Sequence, residues 1–286
     1  MQILRADEMG MCFGVRDALA VLDRLPAPGD VTIHGELVHN PEVLGLLDRR
    51  GFRRSPESAR EVPATPQVLV TAHGISERER ARLAGAGKQL VDTTCPLVQK
   101  AHEAARTLVA DGRRLIVLGK HDHVEVRGVV EDHADAVVVG NAADVRRWPE
   151  ARLGVISQTT TPVEVADALL AAIRAANPHA DVRCLDTICS PTKARLEALQ
   201  RLLPRIDTLV VVGGHESNNT RQLVLRGERH GVATFHVAAA RELRAEWFDR
   251  SAAVGLTAGT STLPRTIEAV HGWLVRLAAG RHGRSA

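Results

Sequence analysis

The chain has no tyrosine, and its rings are three Trp and four Phe, 2% of 286 residues. A platform that stacks single-stranded bases needs exposed rings, so this composition argues against one. Charge of one sign is also lacking. The 37 Lys+Arg and 34 Asp+Glu leave +3, too little to imply a nucleic-acid partner, although a local anion site stays open. Long apolar runs are missing: the runs at 115–118 and 209–212 are strand-length, far from the roughly 18 residues of a membrane span. Arg5, Asp7 and Glu8 interrupt the N-terminus before any apolar signal core forms. A cytoplasmic chain without a membrane segment is therefore expected. The four cysteines, Cys12, Cys95, Cys184 and Cys189, contain no Cys-x-x-Cys pair, which leaves a zinc ribbon or thioredoxin-type motif unsupported. Nor do four in a chain of this length look like a disulfide framework; buried free thiols are the plain alternative. No Gly-x-Gly-x-x-Gly follows the first strand, since Cys12 stands between Gly10 and Gly14, so a dinucleotide-binding oxidoreductase is unsupported.

What is present is an ordinary globular composition, 44% hydrophobic and 25% charged. The core must be built from Val, Leu, Ile and Ala. The length fits two domains or three small ones. A weak internal repeat favours three. Asp92-Thr93-Thr94-Cys95 and Asp186-Thr187-Ile188-Cys189 share one pattern, each after a strand-like approach and before a helical stretch. Gly119 and Gly213 end apolar strands at the same spacing from Cys95 and Cys189, and Gly35 follows Cys12 at a spacing one residue shorter. The 142–148 and 239–247 segments resemble each other, as do 154–162 and 255–264. Apolar strands alternating with helices predict βαβ units and parallel sheets. The expected fold is α/β, with three pseudo-symmetric small domains at 1–95, 96–188 and 189–286. The basic 280–286 stretch, with Arg281, His282 and Arg284, is expected to be a disordered tail.

The repeat gives the cysteines a role. Cys12, Cys95 and Cys189 occupy equivalent positions near helix N-termini, where the dipole favours thiolate. Three thiolates on one axis suit a soft metal or an iron–sulfur cluster. Cys184 breaks the pattern and reads as structural. His39-Asn40, His73-Gly74, His123-Val124-Glu125, Gln158-Thr159-Thr160, Ser217-Asn218-Asn219-Thr220 and Ser261-Thr262 crowd the same strand ends. Any one Ser or Thr there could simply cap the next helix, and any one His could be a satisfied core or surface residue. Together, imidazoles, hydroxyls, amides and helix N-termini suit a phosphate or diphosphate. Glu125 is the only carboxylate of the set, either a proton donor or a solvated surface Glu.

These motifs resemble the 4-hydroxy-3-methylbut-2-enyl diphosphate reductase (LytB/IspH) family. Its most specific pieces here are Cys12-Phe13-Gly14-Val15, Val38-His39-Asn40, Ala72-His73-Gly74, Asp92-Thr93-Thr94-Cys95-Pro96-Leu97-Val98, Gln158-Thr159-Thr160, Ser217-Asn218-Asn219-Thr220 and Thr257-Ala258-Gly259-Thr260-Ser261. They cover nearly the whole chain, from Gln2 to about Leu277. The resemblance implies a trefoil of three α/β domains around a central [4Fe–4S] cluster held by Cys12, Cys95 and Cys189. One iron would lack a protein ligand and bind the substrate hydroxyl. His39, His73, His123, Ser217, Asn218, Asn219 and Ser261 would grip the diphosphate. Glu125, with Thr159 and His123, would serve the proton transfer. Ferredoxin or flavodoxin would supply electrons, and the products would be isopentenyl and dimethylallyl diphosphate. A monomer is the default expectation. The sequence departs from the family at Met11, at Val124 where Pro is usual, at Leu196 after Arg195, and at Leu263. A paralogue acting on another allylic diphosphate, a hydratase working at the open iron, and a cluster-binding structural or sensory protein are the alternatives.

Overall fold

A computed structural model describes residues 1–56 and 61–282. The strands are β1 Gln2–Arg5, β2 Val31–His34, β3 Arg53–Arg54, β4 Gln67–Val70, β5 Gln89–Asp92, β6 Arg114–Leu118, β7 Val137–Val139, β8 Arg152–Ser157, β9 Asp181–Cys184, β10 Thr208–Val212, β11 Ala233–Val237 and β12 Ala253–Ala258. The helices are α1 Phe13–Asp23, α2 Pro41–Arg49, α3 Glu77–Gly85, α4 Pro96–Ala110, α5 Val124–Val130, α6 Val163–Ala176, α7 Ser190–Leu202, α8 Asn218–Arg229 and α9 Pro264–His282.

The strands form three four-stranded parallel sheets, ordered β3-β2-β4-β5, β7-β6-β8-β9 and β11-β10-β12-β1. The three orders are the same pattern, with β1 standing where β5 and β9 stand in the other two. Gln2 pairs with Ala253 and Arg5 with Leu256, so the N-terminal strand completes the C-terminal sheet rather than the first. Strand membership departs there from division in chain order. By compactness the chain divides into two units. One comprises Met1–Phe13, His39–Val43 and Ser190–Ala286 and holds the third sheet; the other comprises Gly14–Val38 and Leu44–Cys189 and holds the first two.

Each sheet is covered on both faces, as parallel sheets require, and strand alternation divides the faces. In the third sheet Val210, Val212 and Leu256 pack with Ile267, Val270 and Leu274 of α9. Leu209 and Val211 turn the other way, onto Leu199 and Leu202 of α7 and Leu223 of α8. In the second, Ile116, Leu118 and Val155 meet Leu169 and Ile173 of α6, while Leu115 and Val117 meet Ala105 and Leu108 of α4. Each such side chain contributes about 1.5–3 kcal/mol of burial. Within the third sheet's unit Phe235 and Trp247 stack at 4.5 Å beside Phe248, while Trp148 is buried in the core of the second sheet.

Helix α9 runs to His282, past the start of the expected tail. Its apolar stripe at Ile267, Val270, Leu274 and Ala278 stays on the core, and that packing outweighs the cost of about 1 kcal/mol for Gly280 in a helix. The rest of the expected tail, 283–286, lies outside the described residues. Among the described residues no helix is long and apolar enough to cross a membrane.

Candidate active site

The equivalent cysteines sit in equivalent chemistry. Each lies between the last strand of a sheet's pattern and a helix: Cys12 before α1, Cys95 before α4, Cys189 before α7. Each backbone N–H donates to the turn following the neighbouring strand. Cys12 N reaches Thr260 O at 2.9 Å, Cys95 N reaches Ala72 O at 3.1 Å, and Cys189 N reaches Thr159 O at 2.9 Å. All three residues are half-buried. Gly14 faces one of the sulfurs: a Cβ there would stand 2.6 Å from Cys95 Sγ, so only glycine leaves that space open. Cys184 is unlike them. It ends β9, packs beside the second sheet's core, and burial pushes its thiol pKa up. Cys12 belongs to one compact unit, Cys95 and Cys189 to the other. Among the described residues no group of three or more His, Cys, Asp or Glu is close enough to hold a metal ion.

The other predicted residues fall on two kinds of position, helix N-caps and strand-end turns. His123 caps α5, its Nδ1 accepting Glu125 N at 3.2 Å. Ser217 caps α8, its Oγ accepting Thr220 N at 3.4 Å. Capping was the plain alternative for Ser217 and describes it correctly; for His123 the cap is a finding of the structure. Two residues after each cap stands a side chain that reaches a turn. Glu125 Oε1 accepts Thr159 N at 2.6 Å, and Oε2 accepts Thr159 Oγ1 at 2.8 Å. Asn219 Oδ1 accepts Thr260 N at 3.0 Å. Thr159 and Thr260 are the same two turn residues whose carbonyls hold Cys189 and Cys12.

Glu125 is 2% exposed. Burial pushes its carboxyl from the ordinary 4.5 up to about 7, against the opposing effect of the two Thr159 hydrogen bonds. A carboxyl held there carries a proton near neutral pH and can give it up. The solvated-surface alternative is therefore overturned. In the same unit the half-buried His73 and His123 rings meet edge to face at 5.7 Å. In the other unit Ser217, Asn218, Asn219 and Ser261 are all buried, and Ser261 Oγ has no hydrogen-bond partner among the described residues. His39 is half-buried there, its carbonyl against Gly214, where a Cβ would stand 2.5 Å away.

Val124 does not disturb this arrangement. It takes the first position of α5, where proline's fixed φ would also fit, is 3% exposed, and leaves Glu125 on Thr159. Leu196 is a core residue of the third sheet. Arg195, 4% exposed, donates Nε and Nη2 to Gly10 O at 3.1 and 2.5 Å, two residues before Cys12. The sequence named Arg195 only as a departure point. It showed Gly14 only as part of a motif and Asn40 only as one of the amides crowding the strand ends. For Asn40 a signal existed: Asn followed by Pro41 is a helix start.

A family model described as LytB protein matches residues 3–275. The chain belongs to the LytB family. A LytB relative from Anaeromyxobacter sp. (strain Fw109-5), named 4-hydroxy-3-methylbut-2-enyl diphosphate reductase, is 34% identical over 279 residues, 96% of this chain and 97% of that one. One of the same name from Aquifex aeolicus is 30% identical over 98% of both chains. Among solved structures, the E-1-hydroxy-2-methyl-but-2-enyl-4-diphosphate reductase of Plasmodium falciparum shares the fold at TM-score 0.88 and 23% identity, over 96% of this chain and 87% of that one. A second, titled as the terminal enzyme of the non-mevalonate pathway, has TM-score 0.68 and 28% identity over 96% of this chain and all of the other. The α/β fold of three parallel sheets in this LytB chain matches these neighbours.

Proposed function

We propose that the chain is an iron–sulfur reductase that dehydroxylates 4-hydroxy-3-methylbut-2-enyl diphosphate. The allylic alcohol takes up two electrons and two protons. Its C–O bond breaks, a C–H bond forms, and isopentenyl or dimethylallyl diphosphate leaves with water. The observation that carries this reading is Glu125, a buried carboxyl with a pKa of about 7 placed on Thr159, whose carbonyl holds Cys189. Hydroxide is a poor leaving group, so a proton must be delivered to it. The names of the LytB relatives support the substrate.

The chemistry of the donor set supports a [4Fe–4S] cluster, in which each thiolate would bind a different iron rather than share one ion: three thiol donors stand in equivalent surroundings, and Gly14 leaves space beside Cys95 Sγ. Cys12, Cys95 and Cys189 would hold it. When bound, it supplies electrons one at a time and an iron without a protein ligand as a Lewis acid for the hydroxyl. The chain's own residues do the rest. His39, His73, His123, Ser217, Asn218, Asn219 and Ser261 bind the diphosphate through imidazole, hydroxyl, amide and helix N-terminal groups. Glu125 holds the proton, and Thr159 Oγ1 orients its carboxyl and can reverse the contact when the acid is protonated. Ferredoxin or flavodoxin delivers the electrons. The cytoplasmic, monomeric state belongs to the same proposal.

The test is an anaerobic assay. The reconstituted protein is analysed for iron and sulfide, then given 4-hydroxy-3-methylbut-2-enyl diphosphate and a reduced viologen. Dye oxidation with formation of both five-carbon diphosphates is expected. A full cluster without turnover would contradict the substrate assignment and direct the search to another allylic diphosphate or a non-redox reaction.

A further inference from the structure

We propose that Asn40 is a positioning residue for the diphosphate site, pinning the Ser261 turn to the His39 segment; this rests on the diphosphate reading above. The short segment His39–Val43 belongs to the compact unit of the third sheet, although the chain on both sides of it belongs to the other unit. Something must hold it there, and three contacts do. Asn40 is 5% exposed and spends both ends of its amide: Oδ1 accepts Glu42 N at 2.9 Å and Val43 N at 3.4 Å, capping α2, while Nδ2 donates to Ser261 O at 2.7 Å. The His39 carbonyl lies where only a glycine, Gly214, can face it. Glu42 binds Arg265 Nε at 2.8 Å and the Thr266 hydroxyl, in the first turn of α9.

The Ser261 turn is therefore held from two sides. Asn219 Oδ1 takes the N–H of Thr260, and Asn40 Nδ2 takes the carbonyl of Ser261. Between those anchors the Ser261 hydroxyl is buried and unpartnered among the described residues. A buried hydroxyl without a partner carries a desolvation cost, which a bound phosphate oxygen would remove. Asn40 does not touch that ligand. It fixes the backbone that presents Ser261 and, next to itself in the chain, His39. Fixing donors before the ligand arrives lowers the ordering cost of binding.

The test uses the reconstituted full chain with inorganic pyrophosphate as probe, followed by calorimetry, alongside steady-state turnover. Asn40→Ser keeps a good cap for α2 but cannot reach Ser261. Pyrophosphate binding should weaken about tenfold, the upper range for one lost hydrogen bond. KM should rise by a similar factor while kcat stays within about twofold, a split that general loosening would not produce. Asn40→Asp, which also keeps the cap, serves if the Ser variant does not fold. Because Asn40 acts through Ser261, adding Asn40→Ser to Ser261→Ala should cost less than adding it to the parent chain. Unchanged affinity in both Asn40 variants, or full additivity with Ser261→Ala, would overturn the assignment. A parent chain that does not bind pyrophosphate would instead overturn the diphosphate reading on which it rests.

Discussion

Two corners of this molecule share a plan and differ in the side chain that reaches the turn. In the second sheet, α5 starts at a His123 cap, and two residues on Glu125 accepts the N–H of Thr159. In the third, α8 starts at a Ser217 cap, and two residues on Asn219 accepts the N–H of Thr260. Each threonine carbonyl then holds a cysteine amide. The bond from the turn N–H and the bond from the turn carbonyl to the cysteine recur in both corners, so those two bonds do not need a carboxylate; the Thr159 hydroxyl bond to Glu125 is an addition of the first corner. Asn219 supplies the acceptor without charge. Glu125 supplies it with a titratable oxygen at a buried position, and burial raises its pKa to about 7. The carboxylate is therefore a chemical feature added to a structural frame that an amide satisfies.

The largest expected break lies where the two corners meet the cysteines. Replacing Cys12, Cys95 or Cys189 with Ser should each abolish cluster content and turnover, measured by iron, sulfide and viologen assay, whereas Cys184→Ser should leave both unchanged. Glu125→Gln makes the first corner resemble the second. Cluster content and pyrophosphate affinity should persist while turnover falls about 10²–10⁴-fold, the range for a general acid. Asn219→Asp makes the second resemble the first. The Thr260 bond can survive, but on the proposed diphosphate reading a carboxylate would then face the substrate anion, so KM should rise at least tenfold without any gain in kcat.

The last effect is on stability rather than on turnover, and its sign follows from the raised pKa. Folding favours the neutral acid of Glu125. The parent chain therefore loses stability relative to Glu125→Gln as pH rises from about 4.5 through about 7, and keeps it below 4.5. The full difference is about 3 kcal/mol. Denaturant unfolding of the two proteins should give curves that separate between pH 5 and pH 8, with the Gln variant the more stable at pH 8.

Much of this was legible in the sequence because the repeat is local. Asp-Thr-x-Cys, the strand-end glycines and the polar turns each lie within a few residues, and they fixed three parallel sheets and the equivalent cysteines. The pairing of β1 with β12 was not legible, since it joins residues about 250 positions apart and a parallel strand carries no mark of its partner. Asn40 failed for the same reason: its cap is local, but its bond to Ser261 spans 221 residues. Glu125 was recognisable as the odd carboxylate. Its burial, which makes it a neutral-pH acid, comes from surrounding segments. Gly14 was visible only as part of a motif; its contact with Cys95 spans 81 residues and comes from the fold.

The most direct test of the central claim, that one corner holds a proton the other cannot, is an infrared titration of the reconstituted protein. The carboxyl C=O band would be read as the difference between parent and Glu125→Gln from pH 5 to 9. A protonated band that disappears with a midpoint near 7 is the predicted result. A band already absent at pH 5 would show Glu125 ionised throughout and would contradict its role as the proton donor.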